Sequence, residues 1–136
     1  MARIAIIDDE REWRDIYRTA LSEAGHSVET YASGNGDALS EISGSRFDLV
    51  VLDIRMSPSG RQVMHDIRKI MPGMPVVVSS SYAGYRTDPD FESACAFVEK
   101  SVDIAALCEA VNAVLAAGPE QSLRRESSDP GPRTAL

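Results

Sequence analysis

One apolar segment that ends in an acidic residue constrains the fold more than any other part of the chain. Residues 47–53 read FDLVVLD, and positions 49–52 are apolar without interruption until the chain reaches Asp53. A strand that is apolar at every position is typical of a parallel sheet covered on both faces. In open α/β sheets, ligands and reacting groups gather at the carboxyl ends of such strands. Asp53 is therefore a candidate functional residue at the edge of a buried sheet.

Short apolar segments and helical segments alternate along the chain. The predicted strands are residues 4–7, 28–31, 47–53, 76–80 and 94–98. The predicted helices are residues 13–24, 38–42, 63–71, a short one near 90–93 and a last one over 104–115. Strands that alternate with helices through short links predict an α/β fold, with a doubly wound five-stranded parallel sheet and helices on both faces.

Length and charge limit the possible functions. The 136 residues are enough for one domain, and the formal net charge of −7 argues against a nucleic-acid surface or an anionic membrane as partner. The only N-terminal apolar run, residues 4–7, is too short for a signal peptide or a membrane span. Two cysteines give no disulfide framework, which favours a cytoplasmic location.

The composition changes at residue 118. The last segment, GPEQSLRRESSDPGPRTAL, has almost no apolar residues, so it cannot bury enough surface to offset the entropy of ordering it. We predict a folded domain over residues 1–117 and a disordered tail over residues 118–136.

Polar residues follow four of the five predicted strands. Asp8 and Asp9 follow the first strand, Asp53 ends the third, Ser80 ends the fourth and Lys100 follows the fifth. If the strand order is 2-1-3-4-5, the first and third strands are neighbours, so three carboxylates converge. Such a cluster is unfavourable unless it holds a hard divalent cation, and Mg²⁺ is the usual choice when phosphate is the other ligand. A nearby ammonium and a hydroxyl then suit the oxygens of a phosphoryl group.

These residues stand in motifs that resemble the response-regulator receiver family. The motifs are IIDDE, VVLDIRM, PVVVSSS and FVEK, and the resemblance covers residues 3–117. Each motif alone is weak, but their order and spacing together are specific. The resemblance implies a flavodoxin-like fold with strand order 2-1-3-4-5 and a role in two-component signalling.

The resemblance also implies roles for individual residues. Asp53 would be the phosphoacceptor, a nucleophile that takes a phosphoryl group from a histidine kinase or a histidine phosphotransfer protein. Mg²⁺ (or Mn²⁺) would be bound by Asp9, Asp53 and the backbone carbonyl of Arg55, and Asp8 would reach the ion through water.

Three further positions carry the implied response to phosphorylation. Ser80, which stands five residues after Pro75, and Lys100 would contact the phosphoryl group. Phe97 would be the switch aromatic, whose change of rotamer alters the surface used by a downstream protein target. We therefore expect a stand-alone receiver that is a monomer or weak homodimer and catalyses only its own phosphotransfer and dephosphorylation.

The sequence leaves alternatives open. The family has proline after its lysine, whereas Ser101 follows Lys100 here, and the loop over residues 55–60 is altered. These departures support a receiver fold that is not phosphorylated and acts only as a protein-interaction module. A phosphatase of the aspartyl-phosphate type would need a second aspartate where Arg55 stands. A flavodoxin-like cofactor binder would lack a phosphate-binding loop, because an acidic triplet follows the first strand.

Overall fold

The computed structural model describes residues 1–54, 59–81, 83–100 and 104–127, with side chains up to residue 117 apart from that of Ala83. The strands are β1 (Arg3–Ile7), β2 (Ser27–Tyr31), β3 (Leu49–Asp53), β4 (Val76–Ser80) and β5 (Ala96–Glu99). The α-helices are α1 (Arg11–Glu23), α2 (Gly36–Gly44), α3 (Gly60–Ile70) and α4 (Ile104–Ser127). Two 3₁₀ helices, Ala83–Thr87 and Pro89–Phe91, lie between β4 and β5.

All five strands form one parallel sheet in the order β2-β1-β3-β4-β5. The predicted fold class and strand order are therefore confirmed. Strand β3 lies at the centre and all five of its residues are buried, which explains why its sequence shows no alternation. The carboxyl ends of β1, β3 and β4 meet at one edge, where Ile7 pairs with Leu52 and Asp53 pairs with Ser79.

Two apolar clusters cover the two faces of the sheet. On one face α2, α3 and the second 3₁₀ helix pack against β1, β3 and β4, with members such as Leu39, Ile67 and Phe91. On the other face α1 and α4 pack against the same strands, with members such as Leu21 and Val111. Helices on both faces exclude water from the sheet, so reacting groups can reach solvent only at its edges.

The region between β4 and β5 differs from the single short helix predicted near residues 90–93. Its two 3₁₀ helices are joined at Asp88, whose carboxylate caps the second helix by accepting a hydrogen bond from the backbone N–H of Asp90. Pro89 stands at the start of that second helix, where a missing N–H does no harm. Arg61 of α3 contacts the carboxylates of Asp88 and Asp90, each at 2.6 Å. The segment is therefore fastened to α3.

The last helix is longer than predicted. It continues through Gly118 and Pro119 to Ser127, whereas the sequence predicted a disordered tail from residue 118. Extending an existing helix avoids the cost of nucleation, and residues 120–125 include Glu, Gln, Leu and two Arg, which favour helix. Residues 128–136 lie outside the described residues. No helix in the described part of the chain has the length and apolar character of a membrane span.

The start of α3 is held against the residue that follows Asp53. The backbone N–H of Gly60 donates a hydrogen bond to the carbonyl of Ile54 at 2.9 Å. A Cβ atom at position 60 would overlap the backbone of Ile54, so the contact requires glycine. This hydrogen bond joins the last described residue after β3 to the first residue of α3.

We expect Gly60→Ala to destabilise the protein by about 2 kcal/mol or more, because backbone atoms cannot move aside as a flexible side chain can. The free energy of unfolding from urea titration measures this. Gly44→Ala is the matched control: it lies in α2 with open space around the added methyl group, so it should be neutral or stabilising by up to about 1 kcal/mol. Equal losses in the two variants would contradict the close contact.

Candidate functional site

The site lies at the edge where the strands end. Asp8 follows β1 and Asp53 is the last residue of β3, and these strands are neighbours in the sheet. Lys100 follows β5, and its backbone N–H donates to the carbonyl of Ser80 at 2.8 Å. The sheet therefore brings together at one edge residues that are far apart in the sequence, as the strand ends predicted.

Four carboxylates form a compact cluster at this edge. Asp8, Asp9, Glu10 and Asp53 each present an oxygen atom, and these atoms all lie within 4.8 Å of one another. Asp8 and Asp53 are buried, whereas Asp9 and Glu10 are exposed. Two buried carboxylates at such a distance repel each other by roughly 3 kcal/mol at the effective dielectric constant of a protein site. The cluster therefore depends on positive charge.

Lys100 supplies one positive charge. Its Nζ lies 2.9 Å from Oδ2 of Asp8, 3.4 Å from Oδ1 of Asp53 and 3.3 Å from Oε1 of Glu10. The side chain is only 4% exposed. Burial by itself lowers the pKa of Lys100, but the contacts with Asp8 and the charge of Asp53 outweigh it and hold the pKa above its usual value. Lys100 is therefore an ammonium ion at neutral pH.

The donor set fits a divalent cation. Among the described residues, the one ammonium in contact with these four carboxylates balances only one of their charges. Oδ2 of Asp8 is buried and, among the described residues, accepts no well-aligned hydrogen bond. Carboxylate oxygens are what Mg²⁺ and Mn²⁺ take as ligands. The four carboxylates could hold such an ion, and that Asp9 and Asp53 bind it directly stays a prediction. Arg55, whose backbone carbonyl the resemblance adds, lies outside the described residues.

A pair of buried hydroxyl groups lies beside Asp53. The hydroxyl of Tyr17 on α1 is 2.7 Å from Oγ of Ser79, and both residues are almost fully buried. Ser79 is the neighbour of Asp53 in the sheet. Burial raises the pKa of the Tyr17 phenol, although the hydrogen bond with Ser79 opposes the shift, so the phenol stays protonated.

Two predicted residues belong to the other face of the sheet. Side chains alternate along a strand, so Ser80 lies on the face of Val78, opposite to Ser79. Phe97 packs against the apolar cluster of that same face, under the guanidinium of Arg86 at 5.6 Å. Ser80 and Phe97 therefore lie on the same face of the sheet. Their roles in a response to phosphorylation stay predictions, and Ser101 lies outside the described residues.

Sequence reasoning missed three residues at the site. Glu10 belongs to the acidic triplet but was not assigned a role, although it contacts Lys100. Trp13 belongs to the predicted helix over residues 13–24 and to no motif, and its ring centroid lies 5.4 Å from Nζ of Lys100. Tyr17 follows Trp13 by one helical turn. A buried tyrosine hydroxyl usually has a hydrogen-bond partner, and this was the signal in the sequence that could have indicated the contact with Ser79.

We expect Mg²⁺ to stabilise the protein at constant ionic strength, by about 1.4 kcal/mol for each tenfold rise in concentration above the dissociation constant. Thermal unfolding against MgCl₂ concentration, with KCl held to a fixed ionic strength, measures the effect. Asp9→Asn and Asp53→Asn should weaken it strongly. Glu23→Gln, an exposed acid at the far end of α1, is the charge-matched control and should leave it intact. An equal loss in Glu23→Gln would show that general charge screening, not the cluster, is responsible.

The buried hydroxyl pair makes a second prediction. Tyr17→Phe and Ser79→Ala should each destabilise the protein by about 1 to 3 kcal/mol, because each leaves one buried hydroxyl without its partner. The double variant should cost less than the sum of the two single variants. Unfolding free energies of the four proteins form a double-mutant cycle. Strictly additive losses would argue against a hydrogen bond between the two hydroxyls.

Comparison with known proteins agrees with this geometry. The chain matches the response regulator receiver domain model over residues 4–112. It is 31% identical over 120 residues to the transcriptional regulatory protein GlrR of Escherichia coli K12, an alignment that covers 84% of this chain and 26% of GlrR. The chain thus spans about a quarter of the length of that relative.

Solved structures give the same assignment. The response regulator TrrA of Thermotoga maritima, in complex with Mg²⁺-BeF, superposes with a TM-score of 0.78 at 33% identity, covering 84% of this chain and 99% of TrrA. TrrA in complex with the histidine kinase ThkA gives a TM-score of 0.77 at 34% identity, covering 85% of this chain and 99% of the matched chain. With the family match over residues 4–112 and the shared strand order, this chain belongs to the response regulator receiver domain family of two-component signalling.

Proposed function

We propose that this receiver domain accepts a phosphoryl group on Asp53 from a phosphohistidine and uses the modification to switch protein–protein interactions. The observation that carries the proposal is the position of Asp53, which is buried at the end of the central strand with Lys100 Nζ 3.4 Å from its Oδ1. The donor would be a histidine kinase or a histidine phosphotransfer protein. The complex of TrrA with the histidine kinase ThkA supports this class of partner.

The transfer follows from the groups at the site. A carboxylate oxygen of Asp53 attacks the phosphorus atom, the new P–O bond forms as the P–N bond to the imidazole breaks, and the imidazole leaves with the electron pair of that bond. Phosphoryl transfer needs little covalent assistance from the protein, so positioning and charge neutralisation supply most of the catalysis. Lys100 is already an ammonium ion beside the acceptor, and its charge stabilises the negative oxygens of the transferring group.

A divalent cation completes the charge balance. When bound, Mg²⁺ would neutralise the carboxylates and the phosphoryl oxygens together, and Asp9 and Asp53, whose oxygens belong to the acidic cluster, would hold it. The complex of TrrA with Mg²⁺-BeF supports this proposal, because beryllium fluoride resembles a phosphoryl group in charge and shape. Binding of the ion and transfer of the phosphoryl group use the same carboxylate, so removal of the ion should stop the transfer.

The output is proposed to be a protein contact. The two 3₁₀ helices between β4 and β5 lie over the sheet face that carries Ser80 and Phe97. Their outer side is the surface that we propose for the protein contact. A change at Asp53 would reach this face through the end of β4, where Ser79 pairs with Asp53. We propose no turnover of an external substrate. That the chain acts without an attached output domain stays a prediction from the sequence.

The test is phosphorylation of the whole chain by phosphoramidate in the presence of Mg²⁺, followed by intact mass spectrometry. We expect wild type to gain the mass of one phosphoryl group and Asp53→Asn to gain none. EDTA should abolish the gain, and Asp48→Asn, an acidic residue at the opposite end of β3, serves as the control that should react like wild type. A wild-type protein that gains no mass would favour the interaction module that is not phosphorylated.

A further inference from the structure

We propose that Trp13 is a positioning residue for phosphoryl transfer: its ring holds the Lys100 ammonium beside Asp53 through a cation–π interaction. This inference rests on the proposed function and deepens it. No motif of the sequence analysis pointed to Trp13, which lies in the first half of α1. It is 87 positions from Lys100 in the chain, and only the packing of α1 against the sheet brings the two together.

The contact lies at the site itself. Nζ of Lys100 is 5.4 Å from the centroid of the Trp13 ring, within the distance at which the negative face of an indole attracts a cation. The same nitrogen is 3.4 Å from Oδ1 of Asp53. Tryptophan is the strongest aromatic partner for a cation, and the interaction is larger where water is excluded, as it is around this 4% exposed side chain.

The Trp13 ring packs against a second aromatic side chain of α1. Trp13 meets Tyr17 edge to face, with centroids 5.5 Å apart and planes at 60°. Tyr17 is fixed by its hydrogen bond to Ser79, the neighbour of Asp53 in the sheet. A continuous set of contacts therefore links the ring to the strand next to the acceptor.

Lys100 needs such a guide because a lysine side chain does not fix its own position. It is a compact charge on a flexible stem of four carbons. Asp8, Glu10 and Asp53 all attract it, and two of these are not the acceptor. The attraction to the ring comes from an uncharged side chain, so it does not depend on the charge carried by Asp53. Trp13 thereby keeps the ammonium near the acceptor without a rearrangement during the reaction.

The sequence allows a direct test, because Trp13 is its only tryptophan. Biosynthetic replacement by mono-, di- and trifluorinated tryptophan alters this one ring, and fluorine weakens the negative face while leaving the size of the ring nearly unchanged. We measure the rate of Asp53 phosphorylation by phosphoramidate and Mg²⁺ from intact masses. The rate should fall stepwise with each fluorine atom, by about threefold to tenfold over the series.

A second measurement does not depend on phosphorylation. We follow unfolding of the fluorinated proteins by circular dichroism, once with Lys100 present and once in a Lys100→Met background. The Lys100→Met substitution removes the charge and keeps a long side chain. Each fluorine atom should lower the folding equilibrium constant more when Lys100 is present than in the Lys100→Met background.

Substitutions of the ring give a further comparison of phosphorylation rates. Trp13→Phe should retain more of the rate than Trp13→Leu, because only phenylalanine offers a negative face.

The outcomes distinguish failure of the positioning role of Trp13 from failure of the proposed function. Rates that fall with fluorination, together with a dependence on Lys100 in the unfolding series, support the positioning role. A wild-type protein that is phosphorylated at a rate insensitive to fluorination overturns the positioning role and leaves the proposed function standing. A wild-type protein that is not phosphorylated at all overturns the proposed function, and the positioning role with it.

Discussion

The contact of the Lys100 ammonium with Asp8 and Asp53 is the interaction on which the rest of the site depends. Two buried carboxylates, Asp8 and Asp53, end neighbouring strands, and bringing them together without positive charge would oppose the formation of the sheet edge itself. Lys100 reaches both from the end of β5. Among the described residues, this ammonium contacts a cluster of four carboxylates, and such an excess of acidic groups suits a divalent cation.

The two faces of the sheet carry different groups. The face under α1 and α4 carries Asp53 and Ser79, and Tyr17 of α1 packs against it. The opposite face carries Ser80 and Phe97 beneath the 3₁₀ helices. Because residues alternate between faces, the last two residues of β4, Ser79 and Ser80, lie on opposite sides of the sheet. The end of β4 therefore contributes a hydroxyl group to each face.

The region between β4 and β5 shows how far local sequence rules extend. The sequence predicts only a short helix near residues 90–93, and the described residues between β4 and β5 form no long helix. The rules could not give two 3₁₀ helices, because these depend on Arg61 of α3 reaching the carboxylates of Asp88 and Asp90 and on Phe91 filling the core. The long helix α4 shows the same limit at residue 118, where a helix already formed extends beyond the change in composition.

The sequence alone determined the parallel sheet and the placement of Asp8, Asp9, Asp53 and Lys100 at one edge of it, because apolar runs that end in polar residues place those residues where parallel strands end. The strand order was implied by the family resemblance, not by the apolar runs. Only the tertiary structure decided what surrounds them. The Tyr17–Ser79 hydrogen bond joins residues 62 positions apart, and the contact of Glu10 with Lys100 joins residues 90 positions apart. Such contacts follow from the packing of α1 against the sheet. No local pattern encodes them, because side-chain periodicity gives the face of an element but not the partner it meets.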